Sequence, residues 1–290
     1  MDIRDALEAF LVQLAADGRS GHTSKQYARH VRRLIGWLTT QRRSTDLSDL
    51  TPAVVASFLA STDATTSARG GAKKATSTNA LRTSLRCFLR WAHDAELAPS
   101  NAARMIRRAR CSPPPPRGLH DDEQRRLLAV LAQAKGTEEL RDRALIELLL
   151  GTGIRIGSAI ALNVEDLDLA HGELTVSSTK NACPTRTLIP KTTAEHLRNW
   201  IGDRKTGPLF TTNGRRMSIR HAQRRVTAWM QAAGITGRSP HSLRHAFATR
   251  LLSQTGDLRL VQAALGHRSI ASTTVYASVA PERLRMALQA

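Results

Sequence analysis

The last fifty residues hold His241-Ser242-Leu243-Arg244-His245, then Leu265-Gly266-His267, then Tyr276, and the chain has one other tyrosine, Tyr27. A tyrosine hydroxyl gathered with cationic groups suits attack on a phosphodiester. Two upstream residues extend the set. Arg155 follows Gly151-Thr152-Gly153-Ile154, a tight turn after an apolar run, and Lys180 lies just past a strand-like segment. Phosphodiester cleavage needs a nucleophile, cations for the charge that develops on the equatorial oxygens, a base for the nucleophile's proton, and an acid for the leaving oxygen. Arg155, Lys180, His241, Arg244, His267 and Tyr276 can supply all four without a metal. Guanidiniums fork onto phosphate oxygens better than ammonium groups do. A lysine held beside two arginines gives up its proton more readily near neutral pH. Singly, each residue also has a structural reading: Arg155 as a helix cap, Lys180 as a solvated loop residue, Tyr276 as core. His245 and Tyr27 read as structural.

These side chains need elements to hold them. Over residues 1–110 the apolar spacing predicts helices. One carries Ala6, Leu7, Phe10, Leu11 and Leu14. A second, capped by Thr23-Ser24, carries Tyr27, Val31, Leu34, Ile35 and Leu38. A third follows Thr51-Pro52, and a fourth spans about Ser77 to His93. Between the last two, residues 67–74 read as a basic loop. Residues 111–118 contain four consecutive prolines and predict an extended linker. Over residues 119–290 a helix starts at Leu119 to Glu123, and Ala144 to Leu150 forms another. Glu173 to Ser177 and Arg186 to Ile189 are paired strands. Helices resume near Ala194, Ile219 and His245. The fold class is mainly α with a small β-sheet (α+β), with domains at 1–110 and 119–290.

The partner is set by charge. The chain has 290 residues and a formal net charge of +19. Residues 1–110 hold 18 Lys+Arg against 9 Asp+Glu (net +9), and residues 111–290 hold 25 against 15 (net +10). An excess shared this evenly calls for a polyanion laid along both domains. Arg-biased composition alone is the competing explanation. Membrane-surface binding is disfavoured, since no helix sets its charge against a bulky apolar face. No run of 18 apolar residues is present, and the acidic, amphipathic N-terminus is unlike a signal peptide. Cys87, Cys111 and Cys183 are scattered and odd in number, which suggests a reducing compartment without disulfides or a zinc site. A cytoplasmic, nucleoid-associated place is expected.

Basic faces are visible on the helices. Arg82, Arg86 and Arg90 repeat opposite Leu81, Leu85 and Leu89. Arg29, Arg32 and Arg33 do the same on the second helix. Arg220, Arg224 and Arg225 do so in the second domain, with Val226 and Trp229 turned inward. The candidate DNA-binding residues are Arg29, Arg33, Lys73, Lys74, Arg82, Arg86, Arg220 and Arg224. Binding should fall steeply with salt, by about 0.9 log units per neutralised phosphate for each log unit of salt.

Gly151-Thr-Gly-Ile-Arg155, His241-Ser-Leu-Arg-His-Ala-Phe-Ala-Thr249, Leu265-Gly-His267 and Thr273-Thr-Val-Tyr276 closely resemble the motifs of tyrosine site-specific recombinases, the phage integrase family. The segment from Tyr276 to Leu284 looks most like the Xer branch. The resemblance implies a helical core-binding domain, a linker and a mixed α/β catalytic domain. It implies that Tyr276 forms a 3′-phosphotyrosyl bond and that Arg155 and Arg244 clamp the scissile phosphate. Lys180 would be the general acid, His241 would assist proton transfer at the tyrosine, and His267 would donate a hydrogen bond to the phosphate. Two departures stand out. Ser158 occupies a position where the family usually carries an acidic residue, and Lys180 is followed by a longer segment before Thr185-Arg186. The implied partner is double-stranded DNA with an inverted-repeat core site, bound by a homotetramer that passes through a Holliday junction, with a partner recombinase left open. The residues after Tyr276 would dock on a neighbouring copy or on their own domain. No cofactor or metal is implied, and no Walker A motif is present. Two alternatives stay open: a type IB topoisomerase-like relaxation enzyme, and an accessory protein with a decayed site.

Overall fold

The structure is a computed structural model, and it describes residues 1–67, 70–111, 118–133, 135–176 and 185–266. By internal contacts the chain divides into two compact units, residues 1–112 and 113–290.

The first unit is helical. Helix α1 (Ile3–Ala16) is capped by Asp2, whose carboxylate accepts from the Arg4 N–H. Helix α2 (Gly21–Thr40) starts earlier than its Thr23-Ser24 pair suggests. The cap is Ser20, which accepts from the Thr23 N–H at 3.3 Å, and so Thr23 and Ser24 fall in the first turn. Helix α3 (Pro52–Ala60) has proline at its first turn and Thr51 as cap, as expected. Helix α4 (Thr62–Thr65) is a single turn, too short to carry a period. Helix α5 (Ala75–Asp94) extends the expected fourth helix at both ends. The apolar stripes of α1, α2, α3 and α5 meet in one core around Phe10, Leu34, Leu38, Phe58, Leu85 and Phe88. Each such side chain adds about 1.5–3 kcal/mol by leaving water. Tyr27 packs against this core with its ring stacked 6.0 Å from Phe10, as its place on the apolar stripe predicts. Asn79, buried on α5, exchanges both amide hydrogen bonds with the Ala109 backbone, at 2.9 and 2.8 Å.

The second unit is built on a buried helix. Helix α6 (Asp121–Ala132) begins where expected. Helix α7 (Thr137–Thr152) is twice as long as its apolar run, Ala144 to Leu150. Its first half carries Arg141 and Asp142, each 1% exposed, and these charges hide the helical period. They are tolerated because they pair. Asp142 accepts two bonds from Arg141, one from Arg225 and one from the Trp229 indole. Arg225 therefore faces the interior, which corrects its assignment to the exposed basic face. Helix α8 (Ile156–Ala161) follows the Gly151-Thr152-Gly153 turn. Strands β1 (Leu167–Asp168), β2 (Glu173–Val176) and β3 (Thr185–Leu188) form an antiparallel sheet in that order, with Val176 opposite Thr185. Helix α9 (Lys191–Ile201) packs on α7. A small hairpin, β4 (Thr211–Thr212) and β5 (Arg215–Arg216), leads to α10 (Ile219–Ala232). Helix α11 (His241–Thr255) starts at His241 itself, four residues before the expected point. Helix α12 (Leu258–Leu265) is capped by Asp257 and was not anticipated. The core gathers Leu145, Leu148, Leu149, Leu197, Val226, Leu243 and Ala246. Among the described residues, no helix is long and apolar enough to cross a membrane.

Candidate active site

The site grows out of the end of α7. Gly153 takes a left-handed conformation (φ +65°) and closes the helix, with its N–H donating to Leu149. A Cβ at this position would lie 2.3 Å from the Phe247 ring of α11. The glycine is thus required twice, for its backbone angle and for the closeness of α11. The turn hands the chain to Arg155, the exposed N-cap residue of α8.

Helix α11 presents His241 and Arg244 one turn apart. Arg244 is 4% exposed, and its guanidinium donates to Gly153 O at 2.6 Å and to Leu265 O at 2.7 Å. One buried side chain therefore bonds to the turn before Arg155 and to the last residue of α12, immediately before Gly266 and His267. A buried guanidinium tied to carbonyls is costly to move. This fixes α7, α11 and α12 to one another. The His241 ring stands edge-on to His245 at 4.6 Å. Burial holds the His241 pKa below the ordinary value, and the charges of Arg244 and Arg155 lower it further. The charges of both guanidiniums bear on one imidazole and disfavour its protonated form.

Arg244 and His241 thus share one helix, and Arg244 is tied to the turn that leads to Arg155. Lys180, His267 and Tyr276 lie outside the described residues. Among the described residues, no carboxylate pairs with Arg155.

The candidate DNA contacts divide by what they touch. Arg29 and Arg86 are exposed, Lys74 is the exposed N-cap residue of α5, and Arg82 is half-buried. Arg33 donates to Thr66 O at 3.2 Å and Lys73 to Ala64 O at 2.6 Å, so both also brace the loop before α5. Burial and the neighbouring Arg33 lower the Lys73 pKa. On α2 His30, bonded to Ser84 Oγ at 2.8 Å, has its pKa pushed down to about 4 by burial and by the charges of Arg29, Lys73 and Arg33. Arg220 and Arg224 are exposed on the first turns of α10. The sequence reading missed His30 and the Arg141–Asp142–Arg225 network. A signal for the latter existed: Asp142 stands three and seven residues before Leu145 and Leu149, on the buried face of a helix.

Residues 117–283 match the Phage integrase family, and residues 7–96 match the family's N-terminal SAM-like domain. The chain belongs to the phage integrase family. Within this family it is a Xer-like tyrosine recombinase, an enzyme that cleaves DNA site-specifically and rejoins it. It is 34% identical over 286 residues to tyrosine recombinase XerC of Mycobacterium tuberculosis, covering 92% of this chain and 91% of that protein. Its fold is similar to that of XerH recombinase bound to a palindromic difH substrate in a post-cleavage complex (TM-score 0.74, 21% identity, 91% of this chain and 78% of that one). It is also similar to lambda integrase in a tetramer bound to a Holliday junction (TM-score 0.72, 20% identity, 93% and 78% coverage). The chain's own architecture, mainly helical with a small antiparallel sheet, is the one the sequence predicts.

Proposed function

We propose that the chain cuts duplex DNA through a 3′-phosphotyrosyl intermediate formed by Tyr276. The Tyr276 oxygen attacks the scissile phosphorus, the phosphorus–5′-oxygen bond breaks, and the 5′-hydroxyl is released. His241 takes the tyrosine proton, and Lys180 gives a proton to the leaving oxygen. Arg155 and Arg244 match the charge on the non-bridging oxygens, and His267 donates a hydrogen bond to them. Attack by a 5′-hydroxyl of the partner strand reverses each step, so the bond energy is conserved and no nucleotide is needed. The observation that carries this reading is the Arg244 guanidinium, buried on the helix that begins with His241 and bonded both to the turn that precedes Arg155 and to the residue before Gly266-His267.

In this reading residues 1–110 are the helical core-binding domain, 111–118 the linker, and 119–290 the catalytic domain. Arg29, Arg33, Lys73, Lys74, Arg82, Arg86, Arg220 and Arg224 neutralise phosphates around an inverted-repeat core site. A homotetramer, two dimers on two sites, exchanges strands in turn through a Holliday junction, with a partner recombinase as the alternative to four identical copies. The palindromic substrate of XerH and the junction-bound tetramer of lambda integrase support this arrangement. The enzyme works in the bacterial cytoplasm, on the nucleoid. The test uses a nicked duplex carrying the site found by mapping covalent adducts across the source genome. Wild type should become covalently attached, and Tyr276→Phe should not. Equal failure of both sinks the reading, and relaxation of any plasmid without exchange between labelled sites would favour the topoisomerase alternative.

A further inference from the structure

We infer that Arg216 is a positioning residue for Arg155, acting through the short helix that carries it. The inference rests on the phosphate-clamping role proposed for Arg155.

Helix α8 has six residues and is too short to be stable alone. Its last carbonyls lack helical partners. The Arg216 guanidinium, reaching over from strand β5, fills that gap. One nitrogen donates to Ile160 O at 2.7 Å and to Leu162 O at 2.8 Å, and the other donates to the Asn163 side-chain oxygen. A cation at this end also complements the helix dipole. Arg216 is itself held firmly. It precedes Met217, which is buried, and the Met217 N–H donates to the carbonyl of Phe210, also buried. The segment before the hairpin is fastened by Trp200 Nε1 and by Arg204, which donate to the carbonyls of Leu209 and Pro208.

The opposite end of α8 is Arg155. Its own side chain makes no ion pair among the described residues, and Ser158, one turn on, offers no charge. Its direction is therefore set by the helix it caps. The helix is restrained by its packing on α7 and α10 and by the fork at its C-terminal end. Ala159 and Ile160 are buried in the core, and the forked guanidinium clamps its end. Burial restrains the depth of α8, and the clamp restrains its rotation and pitch. Without the clamp the Ile160 carbonyl loses the partner described here, and the end of α8 is held only by packing and by the Leu209 N–H on the Leu162 carbonyl, which lets Arg155 tilt away from the phosphate.

The test separates positioning from folding by the charge of the substrate. Nicked duplexes carry either the natural phosphodiester or a methylphosphonate at the scissile position, and single-turnover cleavage is measured. The methylphosphonate lacks one negative charge, so a misplaced guanidinium matters less there. A displacement near 1 Å can cost about 10²-fold, so Arg216→Ala should slow phosphodiester cleavage by roughly that factor while slowing methylphosphonate cleavage only a few-fold. DNA affinity should be unchanged. Arg216→Lys, with one ammonium that cannot fork across both carbonyls, should show the same split at a smaller amplitude. It decides the matter if the alanine variant does not fold. Equal losses on both substrates, or no loss, overturn the inference. Arg155→Ala is the control. If it shows no split, the proposed role of Arg155 fails; if it shows the split and neither Arg216 variant does, only the role of Arg216 fails.

Discussion

Replacing Gly153 by alanine probes the joint on which the site turns. Two costs are separable. Gly153 has φ +65°, and an alanine there pays the left-handed penalty. The new methyl also falls 2.3 Å from Phe247 Cδ1 and 2.8 Å from Cγ, on a ring that cannot rotate away from all its atoms at once. The backbone cost is about 1–2 kcal/mol and the overpacking cost about 1–3 kcal/mol, so Gly153→Ala should lose roughly 2–5 kcal/mol. That is a large share of a typical total of about 5–15 kcal/mol. Urea unfolding read by peptide-level hydrogen exchange isolates the C-terminal unit. The same substitution in a Phe247→Ala background removes the ring and should leave only the backbone cost of about 1–2 kcal/mol. Pushing α11 away also breaks the 2.6 Å bond from Arg244 to Gly153 O. DNA cleavage should therefore fall much further than DNA binding. If alanine costs the same with and without the Phe247 ring, close packing of α11 is not what demands glycine. If it costs under about 1 kcal/mol in the wild-type background, the left-handed turn is wrong.

Two further outcomes follow from buried titratable groups, one in each unit. The folded His30 pKa of about 4 lies below the ordinary 6.5, so the unfolded chain binds more protons between these values. The stability His30 supports is fully present above pH 6.5 and is lost as pH falls toward 4. Urea midpoints for the N-terminal unit between pH 7.5 and 4.5 should slope accordingly, and His30→Gln should flatten that slope; an unchanged slope would clear His30 of the effect. In the other unit, Asp142→Asn leaves Arg141 and Arg225 without their shared carboxylate. Stripping one partner from a buried ion pair costs about 3–5 kcal/mol, and chemical denaturation should show it. A loss below about 1 kcal/mol would mean that the Thr211 and Thr212 oxygens, which also accept from Arg141, suffice.

The contrast between Arg155 and Arg216 shows what a chain reveals before it folds. Arg155, His241 and Arg244 stand out because chemistry restricts residue type, and a tight glycine turn or a helix start leaves a short local trace. Long helices with one apolar stripe, such as α1, α2 and α5, are legible for the same reason: their period is local. Arg216 has no such trace. Its partner Ile160 is 56 residues away, just as Asp142 and Arg225 are 83 apart and Arg244 and Gly153 are 91 apart. Half of helix α7 is hidden from the sequence because Arg141 and Asp142 interrupt its apolar run, and the Arg225 and Trp229 that help bury Asp142 lie in another helix. Arg33 and Lys73 carry a second role that no local pattern reveals. Arg33 on α2 and Lys73 before α5 read as free for phosphate, yet each also holds a backbone carbonyl at the end of α4, Thr66 and Ala64 respectively. The same cations can serve both purposes only if the phosphate arrives on the face the carbonyls leave open. For these two residues alanine should then cost loop order as well as affinity, whereas Arg86, which is exposed, should cost affinity alone.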